Sequence, residues 1–135
     1  MNIRNVAICM IEHKSHIFVS ECYDPIKDET FYRPLGGGIE FGELAKDAAV
    51  REFREELDTD ISISDEFQIV ENLFEFNGNP GHEIMFIFKA KFQDSSFYSA
   101  TEFTGYENDT AFKALWVHID EFTSRRKTLY PEGLI

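Results

Sequence analysis

The sequence predicts a mixed α/β fold, in which a β-sheet is covered by helices, and argues against a doubly wound parallel sheet. One segment, residues 43–57, has the composition of a long helix. Apolar, β-branched and aromatic segments lie on both sides of it, and the turn-forming residues between them predict hairpins. Hairpins create antiparallel neighbours, whereas a doubly wound fold alternates strands and helices.

The N-terminal segments are predicted to form a first hairpin. Residues 5–11 are almost continuously apolar, residues 16–20 are short and β-branched, and the polar stretch EHKS between them supplies a turn. A continuous apolar run is typical of a strand that is buried on both faces. Residues 23–30 are turn formers and charged residues, so we expect a surface loop before the short apolar segment FYRPL.

Three glycines, Gly36 to Gly38, precede the only long helix that the sequence predicts. This helix begins near Glu43 and runs to Leu57 without Pro or Gly, and it is rich in Ala, Glu, Arg and Leu. On a helical wheel, Glu55 and Glu56 lie about 60° and about 40° to either side of Glu52. Three carboxylates therefore share one helix face, beside an apolar stripe formed by Ala49, Val50, Phe53 and Leu57.

The C-terminal half is predicted to contain a second hairpin and one further strand. Residues 67–76 and 84–92 have β-type composition around NGNPG, a dense turn signal at residues 77–81. Residues 93–109 are polar and are expected to be irregular. Residues 112–119 return as a strand, and the stretch DEFTSRR is expected to form a short helix before the tail LYPEGLI.

Composition limits the class of protein and its partners. The chain has 135 residues, of which 43% are hydrophobic and 15% aromatic, enough for one domain over residues 1–135 that needs no disulfide or metal to fold. The net charge of −12 repels polyanions, so duplex nucleic acid is not expected as a partner. A divalent cation held by carboxylates would still attract a small phosphate compound.

The cysteines and the apolar runs indicate where the protein resides. Cys9 and Cys22 form no CxxC pair, which indicates two free thiols in a reducing compartment, and we expect the cytoplasm. The longest apolar run near the start, residues 6–11, is shorter than the core of a signal peptide or a membrane span. We therefore expect no targeting segment and no membrane association.

The clustered acids on the predicted helix suggest a metal site. Like charges three or four residues apart destabilise a helix slightly, and a divalent cation would offset this cost. Mg²⁺ prefers hard oxygen ligands and is commonly shared between carboxylates and substrate phosphates. An isolated acidic pattern of this kind is usually only a solvated face. The upstream glycines favour the metal site, because they let the backbone approach a metal or a phosphate.

Residues 37–56, GGIEFGELAKDAAVREFREE, resemble the signature box of the Nudix hydrolases. All specified positions of that box are filled at the required spacing, by Gly37, Glu43, Arg51, Glu52, Phe53, Glu55 and Glu56. The resemblance implies an α/β/α sandwich with a mixed β-sheet. It also implies Mg²⁺-dependent hydrolysis of a nucleoside diphosphate linked to another moiety X, with Mn²⁺ as a substitute metal and a small-molecule nucleotide as the substrate.

The resemblance also implies roles for single residues. The metal would be bound by three acids and a glycine carbonyl, namely Glu52, Glu55, Glu56 and either Gly36 or Gly37. Glu43 would orient Arg51 or accept hydrogen bonds from free backbone amides at the helix start. The proton acceptor would be Glu52 or an acid from a distant loop, for which the candidates are Glu83, Glu102 and Glu107.

Other side chains are weaker candidates for substrate contacts. Arg33 suits a phosphate, and three aromatic residues could stack on a base, although core packing explains these rings equally well: Phe31, Tyr32 and Phe74. His82 is expected to be a polar residue at a strand end, and Trp116 is expected in the core.

One departure from the box and several open questions remain. The family usually has Gly and then an aliphatic residue after the helix, whereas this chain has Asp58 and Thr59, which predicts a weaker left-handed helix cap. The alternative to an enzyme is a catalytically silent Nudix-like module that only binds a nucleotide, and the complete set of box acids favours the enzyme. The sequence leaves open the identity of X and whether the chain forms a homodimer.

Overall fold

Two β-sheets and one long helix form the fold of the computed structural model, which describes residues 1–135. The helices are α1 (Ala45–Leu57) and α2 (Ile119–Thr123), and Ser95–Tyr98 forms a 3₁₀ turn. The strands are β1 (Arg4–Met10), β2 (Glu12–His13), β3 (His16–Asp24), β4 (Glu29–Pro34), β5 (Gly36–Gly38), β6 (Ile61–Phe76), β7 (Asn79–Phe92), β8 (Glu102–Glu107) and β9 (Thr110–His118). The predicted mixed α/β fold is confirmed, with its strands divided between two sheets.

The first sheet has the strand order β5-β1-β7-β6 and is mixed, because β1 runs parallel to β7 and the other pairs are antiparallel. The prediction that the β1 segment pairs with residues 16–20 is wrong. Strand β3 belongs to the other sheet and makes a hairpin with the short β2 through Lys14 and Ser15. The predicted burial of the first strand is correct, since Val6 to Cys9 are all buried and β1 lies between two neighbours.

The second sheet has the order β2-β3-β9-β8, with β4 also paired to β3. Two predicted loops are wrong here. Residues 23–30 contain only a four-residue turn, residues 25–28, because β3 and β4 extend into the segment on either side. Residues 93–109 contain the 3₁₀ turn and β8. This strand has a polar composition because it lies at the sheet edge, where only Gly105 is buried.

The predicted hairpin after the helix is confirmed and is longer than expected, with strands of 16 and 14 residues. Its turn is narrower than residues 77–81, because β7 already begins at Asn79. Asn77 and Gly78 both have positive φ angles, 52° and 78°, which fits the two-residue turn that matches strand twist. The predicted strand at 112–119 corresponds to β9, whose ends lie one or two residues earlier. The short helix predicted for residues 120–126 corresponds to α2, which begins one residue earlier and ends three residues earlier.

Helix α1 packs its apolar face against the first sheet and the aromatic core. Ala48, Ala49 and Phe53 are buried there, in one cluster with Phe18 and Phe92. Trp116 packs against the same cluster, as predicted, and its indole N–H donates to the carbonyl of Phe97 over 2.8 Å. Neither helix has the length and apolar character needed to cross a membrane.

Candidate functional site

The connection from β4 through β5 to α1 brings the glycines against the acidic face of the helix. Strand β5 pairs with β1, with Gly37 opposite Ala7. A Cβ atom at Gly37 would lie 2.4 Å from Cδ of Glu52 and 2.6 Å from both of its carboxylate oxygens. The Glu52 carboxylate therefore occupies the space that glycine leaves free. A larger residue at position 37 would displace it.

Arg51 is the centre of the hydrogen-bond network at this end of the helix. Its guanidinium binds both oxygens of Glu43, at 2.8 and 3.0 Å, and donates to the carbonyl of Gly38 at 2.9 Å. It also donates to Glu52 at 3.0 Å and to Glu55 at 3.2 Å. Arg51 thus links the glycine strand, the loop before the helix and two acids of the helix face.

Glu43 contacts Arg51 as considered above but accepts no hydrogen bond from the helix start, and α1 begins two residues later than predicted. Its carboxylate orients Arg51 and also accepts a hydrogen bond from the backbone N–H of Glu40 over 3.1 Å. The hydrogen bond from Arg51 is the main reason that the pKa of Glu43 lies below its ordinary value. Leu44, at the helix N-cap, offers no side-chain acceptor, so Glu43 supplies the polar contacts of this turn.

The three acids of the box differ in their surroundings. Glu56 is buried and Glu52 is largely buried, whereas the side chain of Glu55 is 58% exposed and reaches back to Arg51. Burial is the main cause that raises the pKa of Glu56 to about 9, and a hydrogen bond with Glu52 adds to it. Glu52 and Glu56 thus lie side by side on the helix face, with Glu56 the more deeply buried of the two.

This donor set fits a divalent cation. No three acidic, histidine or cysteine side chains converge as ready metal ligands in this arrangement, because Arg51 engages Glu52 and Glu55. The neighbouring carboxyl groups of Glu52 and Glu56 supply the hard oxygens that Mg²⁺ prefers, and a bound cation would displace the proton of Glu56. The carbonyl groups of Gly36 and Gly37 belong to the adjoining strand β5.

Asp58 ends the helix in a left-handed conformation, with φ 50° and ψ 47°, and its N–H donates to the carbonyl of Arg54. The residue has the backbone conformation that the family's glycine would adopt more easily. Its side chain is exposed. The prediction of a left-handed cap at this position is confirmed.

A cleft of about 670 Å³ lies between the two sheets. Strands β3 and β4 form one wall, β6 forms the other, and the C-terminal tail closes one side with Tyr130, Pro131 and Glu132. The tail is held beside β4 because the carbonyl of Thr128 accepts from Tyr32 N–H, and the N–H of Tyr130 donates to the Tyr32 carbonyl.

Three of the four weaker substrate candidates line this cleft, namely Phe31, Arg33 and Phe74. The ring of Phe74 lies directly on Gly81, where a Cβ atom would be 2.2 Å from the ring. Tyr32 does not belong to the cleft. Its ring packs in a separate core cluster with Phe122, on the other face of β4. Strand alternation explains this difference, because successive side chains of a strand point to opposite faces.

The remote acids are distributed over three places. Glu107 lies at the end of β8, and its negative charge contributes to the raised pKa values of both Glu56 and Cys22. Glu83 is buried in the cleft wall, between Arg4 and Arg33. Glu102 lies near Lys113, at 3.9 Å. His82 stands opposite Leu73 in the β6–β7 ladder and does not line the cleft.

The tips of two hairpins are tied together at the outer end of the cleft. The buried carboxylate of Asp24 accepts hydrogen bonds from Ile26 and Lys27 in the β3–β4 turn and from Asn77 in the β6–β7 turn, over 3.0 to 3.2 Å. Lys27 in turn donates to the carbonyl of Glu75 over 2.8 Å. Asp24, Arg4 and the tail residues were not predicted from the sequence. No local pattern marks them, because their partners lie far away in the chain.

Comparison with known proteins agrees with this geometry. The sequence matches the family model of the NUDIX domain over residues 1–133. No curated protein matches it significantly.

Solved structures share the fold at low sequence identity. A NUDIX hydrolase from Nitrosomonas europaea is 18% identical, with a TM-score of 0.62 over 93% of this chain and 78% of that chain. The MutT NUDIX hydrolase from Burkholderia pseudomallei is also 18% identical, with a TM-score of 0.59 over 89% and 86%. The solution structure of the E. coli ORF135 protein is 21% identical, with a TM-score of 0.55 over 97% and 83%. The chain therefore belongs to the NUDIX family and is a Nudix-type pyrophosphohydrolase.

Proposed function

We propose that this enzyme hydrolyses the pyrophosphate bond of a nucleoside diphosphate linked to another moiety X, with Mg²⁺ as its metal and Mn²⁺ as a substitute. The observation that carries the proposal is the contact between Glu52 and Glu56 beside Gly37. Two buried acids in contact are costly unless a cation or a proton lies between them. Such a pair suits a metal that is shared with phosphate oxygens.

Each residue of the site has a defined task in this proposal. Glu52 and Glu56 would hold the cation, Glu55 and a carbonyl of Gly36 or Gly37 would complete its ligands, and Glu43 fixes Arg51. Bound Mg²⁺ would neutralise charge on the phosphate oxygens and lower the pKa of a bound water. Glu52 would take the proton from the attacking water, and Glu107 is the remote acid whose charge acts on Glu56.

The cleft supports a small-molecule nucleotide as the substrate. Its volume of about 670 Å³ lies within the usual range for small-ligand sites. Phe31 and Phe74 offer rings to a base, and Arg33 offers hydrogen-bond donors to a phosphate. The net charge of −12 disfavours duplex nucleic acid as a partner. The free thiols Cys9 and Cys22 support a reducing compartment, and we propose the cytoplasm for this single-domain protein.

The test is a panel of nucleoside triphosphates, sugar nucleotides and dinucleoside polyphosphates with Mg²⁺, read out as released phosphate, pyrophosphate or nucleoside monophosphate. Glu56→Gln should lower the turnover by about 100-fold or more, because metal stabilisation supplies several kcal/mol. The variant should still fold, since Gln has the shape of the protonated acid and burial already favours the neutral form.

Glu66→Gln is the matched control, because it makes the same replacement at an exposed side chain of β6. It should retain the turnover of the unmodified enzyme. Full activity of Glu56→Gln, or full activity in excess chelator, would contradict the metal site. Nucleotide binding without any turnover would instead identify a silent binding module.

A further inference from the structure

We propose that Arg4 and Arg33 bind the phosphate chain of the substrate and that buried Glu83 positions their guanidinium groups. The inference rests on the proposed function, because it takes a phosphorylated compound as the substrate. It adds Arg4 as a substrate-binding residue and gives Glu83 a positioning role in place of the proton-accepting role considered above.

Glu83 is a buried carboxylate between two arginines. Its side chain is 5% exposed, and its oxygens lie 3.6 Å from Nη1 of Arg4 and 3.7 Å from Nη2 of Arg33. Its Oε1 atom is buried and has no hydrogen-bond partner. A buried carboxylate is costly without positive partners. The two arginines therefore compensate Glu83, and Glu83 in turn fixes where their guanidinium groups lie.

The two guanidinium groups keep their hydrogen-bond donors available. Arginine has five N–H donors, and neither Arg4 nor Arg33 donates a side-chain hydrogen bond within the chain, since both separations from Glu83 exceed normal hydrogen-bond length. One carboxylate balances one of the two positive charges, so one positive charge is left over. Arg51 is the opposite case, because its donors are engaged by Glu43, Glu52, Glu55 and Gly38. Free donors with surplus positive charge suit an anion.

Their position suits the phosphates of a nucleotide. Arg33 precedes Gly37 by four residues in the chain and lines the cleft together with Cys22. Arg4 packs on Gly38, where a Cβ atom would lie 3.2 Å from its Nη2 atom. Phe31 lies farther along β4 from the acidic helix. Arg4 and Glu52 lie on opposite faces of the edge strand β5, because Gly37 and Gly38 are successive residues, so a phosphate chain bound by the arginines would pass around this edge to reach the acids.

The opposite end of the cleft is unsuited to phosphate. Its lining there is predominantly acidic, although Lys27 is also present: Asp24, Glu29, Glu75 and Glu132. Lys27 is already engaged by the carbonyl of Glu75. The distribution of charge therefore fixes the direction of the substrate, with the phosphate chain at the arginine end.

The first experiment measures the binding of inorganic pyrophosphate in EDTA by calorimetry, so that neither metal nor turnover enters the result. Arg4→Ala and Arg33→Ala should each raise Kd at least about tenfold, as expected for lost charge-assisted hydrogen bonds. Arg33→Lys should recover part of the loss, since it keeps the charge without the planar fork. Arg126→Ala is the matched control, because its side chain is 62% exposed against 60% for Arg4 and pairs with Glu121 outside the cleft. It should bind like the unmodified protein.

The variant Glu83→Gln distinguishes a role of Glu83 in positioning the two arginines from an effect of its charge alone. Removing a negative charge beside two arginines should strengthen anion binding if charge alone matters. A positioning role predicts the reverse, with Kd raised about tenfold, and it predicts that Arg33→Ala has less than about a threefold effect in the Glu83→Gln background. With the best substrate of the panel, Glu83→Gln should raise KM while kcat changes by less than about threefold.

Several results would overturn the inference. Pyrophosphate binding that is undetectable in the unmodified protein, or unaffected by Arg4→Ala and Arg33→Ala, would exclude the phosphate contact. An equal loss of pyrophosphate binding in Arg126→Ala would show that the effect comes only from the net charge of the protein. Tighter binding in Glu83→Gln would remove the positioning role. An unmodified enzyme without turnover that still binds pyrophosphate through both arginines would support the inference and contradict the proposed function instead.

Discussion

Replacement of Gly37 by alanine should disable the site without disturbing the fold. The new Cβ would lie 2.4 Å from Cδ of Glu52. Carbon atoms pack at about 3.5 Å or more, so the carboxylate must move by about 1 Å. Metal ligands tolerate deviations of about 0.2 Å, and a misplacement of about 1 Å in an active site costs up to about 100-fold in rate. We expect kcat/KM to fall by about that factor and the Mg²⁺ concentration for half-maximal rate to rise.

The assay is steady-state hydrolysis across a Mg²⁺ titration, with thermal unfolding measured on the same samples. Gly42→Ala is an informative control, because Gly42 has φ +81° and nothing lies within 4 Å of its Cβ position. Alanine there should cost about 1 kcal/mol of stability and leave the carboxylate in place. Gly37→Ala should therefore lose activity and keep its Tm, whereas Gly42→Ala should have a lower Tm and keep its activity. Unchanged turnover and metal dependence in Gly37→Ala would refute the assignment of Glu52 to the metal site.

Three further outcomes are expected. Asp58→Gly should raise the free energy of unfolding by about 0.5 to 1 kcal/mol, because Asp58 has a left-handed conformation and is exposed at the helix C-terminus. Denaturant titrations measure this change, and turnover should stay the same. A destabilised variant would contradict the prediction. Millimolar Mg²⁺ should raise Tm in thermal scans by relieving the paired acids, and an unchanged Tm during metal-dependent turnover would mean that the metal binds only with substrate. Burial opposes the ionisation of Asp24, but hydrogen bonds from Asn77 and two further backbone N–H groups outweigh it and lower its pKa. The stabilisation by ionised Asp24 is complete above the ordinary pKa near 4 and is lost as the pH falls through the lower pKa of the folded state. Asp24→Asn should therefore lower Tm at pH 7, and the difference in Tm between the two proteins should vanish in acid. A constant difference in Tm down to about pH 2 would exclude this ionisation.

The elements that could be predicted from the sequence are those whose structure is determined by neighbours in the chain. The helix that ends at Leu57 follows from helix propensity, and the turn at Asn77 and Gly78 follows from backbone geometry. The partner of β1 could not be predicted in this way. Its pairing with β7 joins residues such as Val6 and Met85, which no local pattern relates. The continuous apolar run of β1 indicated burial on both faces, which is typical of a central strand. A two-stranded hairpin contains no central strand.

The same division applies to the site. The acids of the helix could be located because their spacing alone places them on one face. The cluster of Arg4, Arg33 and Glu83 could not, because β1, β4 and β7 bring the three side chains together. Strand β8 was missed because an edge strand has no apolar alternation, and Glu107 at its end was therefore expected in a loop.

The tie between the β3–β4 and β6–β7 turns bears on the thermodynamics of ligand capture. Mobile loops that close over a ligand lose conformational entropy at that moment, and this loss lowers the affinity. Here Asp24 and Lys27 have already joined the two turns during folding, so the outer wall of the cleft is preorganised. A ligand that enters this cleft therefore needs to order few backbone segments, and more of its interaction free energy is retained as affinity.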